Sequence, residues 1–348
     1  MKTVSSLVLF LALLDNARAS HFPHFLGRVN PSTRELTWPG TGVAFSFTGT
    51  TASIALNAIH GSNSMELDVD GGKSIIYNVS GTSITAPLKI PYGIHNVTLR
   101  KRSDSTWGTI TLGNITTDGK FNDPVIHKRR IEILGDSISV GYGLDGNGPC
   151  SNNASVENAP KTYGALAATA LQAEYSIIAK SSIGLTRNYM NAKPGSNPLL
   201  PSLWTQYKAE DSTNSYDFPA AANPQAVVIN IGTNDFGYKG VRDPLNPAAY
   251  EVGMVTFVKL IAKHYPDAVF FLLTSPMLND SPPDNQRTTL KGALDTAQKT
   301  LIDFRIKVRV VDMPYINDIR GCGGHPTAAE HVSEGKILEQ AIREELGW

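Results

Sequence analysis

Three short segments carry residue types that can do covalent chemistry together. Gly135-Asp136-Ser137 directly follows the apolar run Ile131–Leu134. Ligands of open α/β sheets bind beyond the carboxyl ends of the strands, so a serine there is held where a substrate reaches it. Its own N–H, at the start of the next helix, is placed to donate to an oxyanion. Gly232-Thr233-Asn234-Asp235 follows the run Ala226–Ile231 in the same way and offers the Asn234 amide as a further donor, a kind of group worth about 10²–10³ in turnover. His325 stands in Gly321-Cys322-Gly323-Gly324-His325-Pro326, where Pro326 suits a first helical turn and the glycines let the imidazole reach another loop. Taken singly, each segment has an ordinary reading: a helix N-cap at Asp136 or Ser137, a turn at residues 232–235, a structural histidine. Together they supply nucleophile, base and oxyanion donor, the parts of acyl transfer. His331, farther along the same helix, makes a poor angle with His325 for a shared metal and has no evident third ligand; it reads as structural, and no metal is expected.

The elements that must position these residues fall into two halves with different periods. From about Gly27 to Thr117 short alternating stretches dominate, such as Val43, Phe45 and Phe47, then Ile54 and Leu56, Leu67 and Val69, Val97 and Leu99, and Ile110 and Leu112. Glycine, asparagine, aspartate and proline punctuate them, which predicts an antiparallel β-sandwich. After about Asp123 short apolar runs (Ile131–Leu134, Ala226–Ile231, Val269–Leu273, Val308–Val311) alternate with helical segments near Thr162–Gln172, Ala249–Tyr265, Gln286–Phe304 and Thr327–Glu345. Such runs fit strands buried on both faces of a parallel sheet, so this half is expected to be a doubly wound α/β domain. Residues 1–19 are expected to be a signal peptide, 20–122 the sandwich and 123–348 the α/β domain, with Phe121-Asn-Asp-Pro124 as linker.

Composition bounds the partners. The 348 residues are 41% hydrophobic with a formal net charge of zero, so nothing points to nucleic acid or an anionic membrane, and a neutral substrate is suited. Lys2, the apolar run Val4–Leu14 and Ala17-Arg18-Ala19 make a secretory pattern too short to span a bilayer; the other reading is a buried N-terminal helix. Secretion agrees with four glycosylation acceptors at Asn78, Asn96, Asn114 and Asn153. The two cysteines, Cys150 and Cys322, are either a disulfide or two buried thiols.

With these residues in hand, the chain resembles the SGNH (GDSL-like) hydrolase superfamily. Its blocks are matched at Gly135–Ser137, at Gly232–Asp235 and at His325, and its oxyanion glycine is best matched by Gly184 in Lys180-Ser-Ser-Ile-Gly184-Leu-Thr-Arg187-Asn188. A narrower resemblance, covering nearly the whole mature chain, is to carbohydrate esterase family 2. It runs through Gly27-Arg28, Trp38, Phe47-x-Gly49-Thr50, Gly93-x-His95-x-Val97-x-Leu99, Gly135-Asp-Ser-Ile-Ser-x-Gly141-Tyr-Gly143, Gly184-x-x-Arg187-Asn188 and Gly321-Cys322-x-x-His325-Pro326. The resemblance implies a jelly-roll N-terminal domain and an esterase that removes acetyl groups from plant cell-wall polysaccharides such as xylan or glucomannan. It implies Ser137, His325, Gly184 and Asn234 as catalytic residues, and Arg187, Asn188 and Asp235 are read with it as substrate-binding. It implies no cofactor, and the protein is expected to be a monomer.

The chain departs from the superfamily at one point. An aspartate usually stands two residues before the histidine, where this chain has Gly323; losing the equivalent group costs serine proteases about 10⁴-fold. The resemblance implies that a Ser–His dyad can suffice, as it can in family 2 enzymes, with the imidazole held by a backbone carbonyl; a carbonyl of Gly321, Cys322 or Gly323 could do that here, as could Asp318. Gly324 stands where the family often has an aromatic residue, so a more open cleft floor is expected. Ser137 and His325 can meet only if their loops converge, and a Cys150–Cys322 disulfide would pin those loops together.

Overall fold

The computed structural model describes residues 23–86, 90–189, 198–237, 242–281, 285–316 and 321–348. The segment expected to be a signal peptide and Asp318 lie outside the described residues.

The first half folds as two antiparallel sheets. Its strands are β1 (His24–Leu26), β2 (Glu35–Leu36), β3 (Gly42–Gly49), β4 (Ala52–Gly61), β5 (Met65–Val69), β6 (Gly72–Ile76), β7 (Ser83–Thr85), β8 (Gly93–Lys101), β9 (Gly108–Thr117) and β10 (Lys120–Asn122). One sheet runs β1-β3-β8-β5-β6, with β10 also on β3, and the other runs β2-β9-β4-β7. The period-2 residues close the core between them. Val43, Phe45, Phe47, Leu67, Val97 and Leu99 from one sheet meet Ile54, Leu56, Ile110 and Leu112 from the other. Phe121, expected in the linker, is instead in β10 opposite Phe47. Its ring lies edge-on to Phe45 with centroids 6.2 Å apart, contact that an apolar ring in a solvated linker would forgo.

The second half contains β11 (Arg129–Gly135), α1 (Ser137–Val140), α2 (Tyr163–Ala170), β12 (Ala173–Ala179), α3 (Leu200–Leu203), β13 (Ala226–Asn230), α4 (Thr233–Phe236), α5 (Pro247–His264), β14 (Val269–Leu273), α6 (Gln286–Asp303), β15 (Val308–Val311) and α7 (Ala328–Leu346). The sheet is wholly parallel, in the order β12-β11-β13-β14-β15. Each buried strand feeds two cores. Leu134, Val227, Ile229 and Leu272 pack under α5 and α6; Ile133, Val228, Phe271 and Leu273 pack under α2 and α7. The last strand differs from the expectation of burial on both faces. β15 has one neighbour, its first three residues are half-buried, and Arg309 on it pairs with Glu344 and Glu345 of α7.

The strand order decides where a ligand fits. From β11 the chain first goes to β12 on one side, then to β13 on the other. The connections therefore part at the carboxyl end of β11 and leave a crevice there. The two halves are also locked together away from that crevice. Trp38, fully buried, shares a core with Trp204 and Tyr265 of the α/β half. Arg28 pairs with the buried Glu132 at 3.0 Å and lies over the Tyr216 ring, 3.9 Å from its centroid.

Candidate active site

Ser137 opens the one-turn α1 at the carboxyl end of β11, at the crevice. Asp136 caps that turn, its Oδ1 accepting the Ile138 N–H at 3.0 Å, and Gly141 ends it in the left-handed region at φ 80°. As the first helical residue, Ser137 has no intrahelical acceptor for its N–H. Asp136 is fully buried, and burial pushes its carboxyl up to about 7.

His325 precedes α7, whose first turn is fixed by a capping box between Thr327 and Glu330. Its Nε2 lies 2.8 Å from Ser137 Oγ. Its Nδ1 lies 3.2 Å from the Cys322 carbonyl oxygen. A carbonyl only accepts, so Nδ1 carries the hydrogen and Nε2 is left free to take the serine proton. Of the three carbonyls considered from the sequence, that of Cys322 makes the hydrogen bond. Desolvation pushes the imidazole down to about 4, with the backbone carbonyls of Cys322 and Gly323 opposing it. Tyr142 stacks on the ring, with centroids 4.0 Å apart and planes 21° from parallel. Gly323 makes room on that side: it sits at φ +61°, and a Cβ there would be 3.3 Å from Tyr142 Cε1.

The loop after β12 carries Gly184. A Cβ at Gly184 would lie 2.0 Å from the Arg187 carbonyl oxygen, so only glycine fits. Its N–H donates to Asn188 Oδ1 at 2.9 Å. Asn234 donates through Nδ2 to the Ile183 carbonyl at 2.6 Å and approaches Asp136 Oδ2 at 3.4 Å. Both residues expected as oxyanion donors thus have these hydrogens engaged inside the protein.

The three residues read as substrate-binding help to build this loop. Asp235 is fully buried and accepts from the N–H groups of Leu185, Thr186 and Arg187 at 2.9, 2.7 and 3.1 Å and from Thr186 Oγ1 at 2.8 Å. A buried carboxylate needs donors and an irregular loop needs acceptors for its N–H groups, so each satisfies the other. Arg187 Nε donates to the Asp235 carbonyl at 2.7 Å and Nη1 to the Asp243 carbonyl at 2.8 Å. Asn188 is spent on Gly184. Burial also raises the Asp235 carboxyl, with the loop N–H groups opposing the shift.

Cys150 and Cys322 are disulfide-bonded, Cα to Cα 4.9 Å, which ties the segment after the nucleophile to the histidine loop. The first half contributes as well. Past β8, Arg102 is buried and ion-paired with Asp145 of the nucleophile segment. Asp104 donates its N–H to Glu157 Oε2 at 2.6 Å, and its Oδ2 accepts the Ser181 N–H, three residues before Gly184, at 2.9 Å. Sequence reasoning missed Tyr142, Arg102, Asp104 and Glu157. Tyr142 had a signal, the Gly-Tyr-Gly step after the nucleophile. Lys101-Arg-Ser-Asp104 reads as a solvated strand end and gave none. His331 is buried, with Nδ1 accepting the Tyr163 N–H at 3.2 Å.

Comparison with known proteins places both halves. Residues 25–124 match the family described as Carbohydrate esterase 2 N-terminal, and residues 133–332 match the GDSL-like Lipase/Acylhydrolase family. The cellulase/esterase CelE of Acetivibrio thermocellus is 32% identical over 326 residues, covering 92% of this chain; the chain spans only 38% of CelE. An acetylxylan esterase / glucomannan deacetylase of Cellvibrio japonicus is 24% identical over 320 residues, 89% of this chain and 84% of that protein. The crystal structure of a carbohydrate esterase family 2 enzyme plus carbohydrate binding domain from Corynascus thermopiles (Myceliophthora fergusii) superposes with a TM-score of 0.90 at 52% identity, covering 94% of this chain and all of that one. A family 2 esterase from Clostridium thermocellum in complex with cellohexaose superposes with a TM-score of 0.82 at 28% identity, over 94% and 99% of the two chains. With a serine and an imidazole in hydrogen-bond contact at the switch point of a parallel sheet, and both halves matched in order, this chain belongs to carbohydrate esterase family 2.

Proposed function

We propose that this protein is a secreted serine esterase that removes O-acetyl groups from plant cell-wall polysaccharides such as xylan and glucomannan. One observation carries the reading: Ser137 Oγ lies 2.8 Å from an imidazole nitrogen whose opposite side is held at 3.2 Å by a backbone carbonyl. In this mechanism His325 Nε2 takes the proton as Ser137 Oγ attacks the acetyl carbonyl. The Ser137 N–H meets the oxyanion, joined by the Gly184 N–H and the Asn234 amide as these exchange their internal acceptors for it. The imidazolium then protonates the departing sugar oxygen, and water activated by the same nitrogen releases acetate. No step calls for a metal or cofactor.

The substrate class follows the names of the relatives, an acetylxylan esterase / glucomannan deacetylase among them. The two antiparallel sheets, residues 20–122, are proposed as a jelly-roll wall of the cleft joined to the α/β domain at 123–348. Asn78, Asn96, Asn114 and Asn153 are all exposed, as glycosylation after export requires.

The test is an activity screen of acetylated xylan, glucomannan and cellobiose acetates against p-nitrophenyl esters of increasing chain length. Acetyl substrates turn over fastest, and Ser137→Ala lowers kcat by at least about 10³-fold. Faster turnover of acyl chains beyond about four carbons would reject the acetyl specificity. A second reading, a polysaccharide-binding protein of weakened activity, is favoured by the neutral partner of Nδ1. Binding by a wild type that hydrolyses no p-nitrophenyl acetate would select it.

A further inference from the structure

Among the described residues the imidazole of His325 has no carboxylate on Nδ1. When it takes the Ser137 proton it becomes a cation, and its Nδ1 partner is the neutral Cys322 carbonyl, 3.2 Å away. A carboxylate there would stabilise that cation; the backbone carbonyl holds the ring's orientation with less charge. Among the described residues the other surroundings supply no negative charge on Nδ1. Ser137 faces Nε2. His331, from α7, is held neutral by burial. Glu157 faces Tyr142, whose hydroxyl it raises along with burial.

Tyr142 covers the face of the ring. Its plane is 21° from parallel to the imidazole at 4.0 Å between centroids, and its N–H donates to the Ser137 carbonyl at 3.1 Å, so it is anchored to the nucleophile's own turn. The face of an aromatic ring is its negative face and attracts a cation held against it. Raised by burial, the phenol stays neutral with its ring intact. Gly323 leaves the stack clear: a Cβ there would lie 3.3 Å from Tyr142 Cε1, a tight contact, and 3.7 Å from His325 Nδ1, and its φ of +61° disfavours any other residue. The position that carries an aspartate in other SGNH enzymes is here the clearance for the tyrosine.

We propose that Tyr142 is a positioning residue for the Ser137–His325 pair, whose ring face holds the imidazole in register and stabilises its cationic form in place of a carboxylate. This deepens the esterase reading and rests on it; the Ser137→Ala control tests that reading separately. The experiment compares wild type, Tyr142→Phe and Tyr142→Leu on p-nitrophenyl acetate across pH. Rates are read in the first seconds after dilution into each buffer, with circular dichroism of the same samples confirming the fold.

Tyr142→Leu is expected to lower kcat about 10-fold with KM within about twofold, and to move the acid limb of kcat/KM down by about half to one pH unit, because an unsupported imidazolium loses its proton more readily. Tyr142→Phe, which keeps the ring face, restores both. The proposal is overturned if the leucine variant leaves kcat and the limb where they were. It is overturned equally if kcat falls with the limb unmoved, the result of a packing role alone, or if phenylalanine loses as much as leucine, which would assign the effect to the hydroxyl.

Discussion

At the residue scale, protonation of His325 decides when the site can work. The base must be neutral, and burial pushes its imidazole from an ordinary 6.5 down to about 4. The neutral fraction is then nearly complete above about pH 5 and falls only below it. Measured as kcat/KM against pH on a small acetyl ester, activity is expected to hold to about pH 5 and to be half lost near pH 4. A limb at or above pH 6.5 would mean that a carboxylate supports the imidazolium. The same residue shows how much of the site was legible. That Ser137 leaves a strand and His325 enters a helix followed from neighbouring residues, because strand ends and helix starts are local events. Which carbonyl holds Nδ1 did not: it depends on the path of a glycine-rich loop, and glycines allow many paths.

At the scale of elements, two ties hold the loops that meet in the crevice. Asp235 organises the loop from Leu185 to Arg187 by accepting three N–H groups and a hydroxyl. Asp235→Ala leaves those donors buried without an acceptor and is expected to cost about 3 kcal/mol of stability in urea unfolding. It should also lower kcat, because Gly184 sits on that loop; unchanged stability would show that the donors find other partners. Asp235 was misplaced from sequence because a carboxylate at a strand end reads equally as reaching outward to ligand or inward to backbone. The second tie is the disulfide, which links residues 172 apart. The entropy model for a loop of that length gives about 5 kcal/mol, an upper figure where the unfolded chain is already compact. The double variant Cys150→Ser, Cys322→Ser should therefore melt well below wild type and lose activity at temperatures where the parent is stable. Equal melting temperatures would show that packing alone holds the loops.

At the scale of the molecule, the first half is part of the site's frame. Trp38 and Arg28 sit in the α/β half, and Arg102 and Asp104 support the nucleophile segment and the loop of Gly184. Arg102 is fully buried and Asp145 mostly so. Arg102→Ala is expected to cost about 2 kcal/mol, since it empties a buried site and removes a charge-assisted bond, while Asp145 keeps Asn158 and Lys161 as partners. kcat should fall while the sandwich itself stays folded. An Arg102→Ala enzyme with wild-type stability and rate would separate the two halves functionally and return the sandwich to the status of an independent module.

The chain alone determined the two periodicities, and with them two antiparallel sheets followed by a parallel one, because hydrophobic spacing acts over a few residues and dictates which faces are buried. It also determined that a serine and a histidine stand at element ends. Tertiary structure alone decided which polar groups point inward. Asp235, Arg102 and the Cys322 carbonyl found partners far along the chain, and Tyr142 found its ring across a gap opened by Gly323. Those choices are set by desolvation and packing among residues brought together only once the sheets are formed.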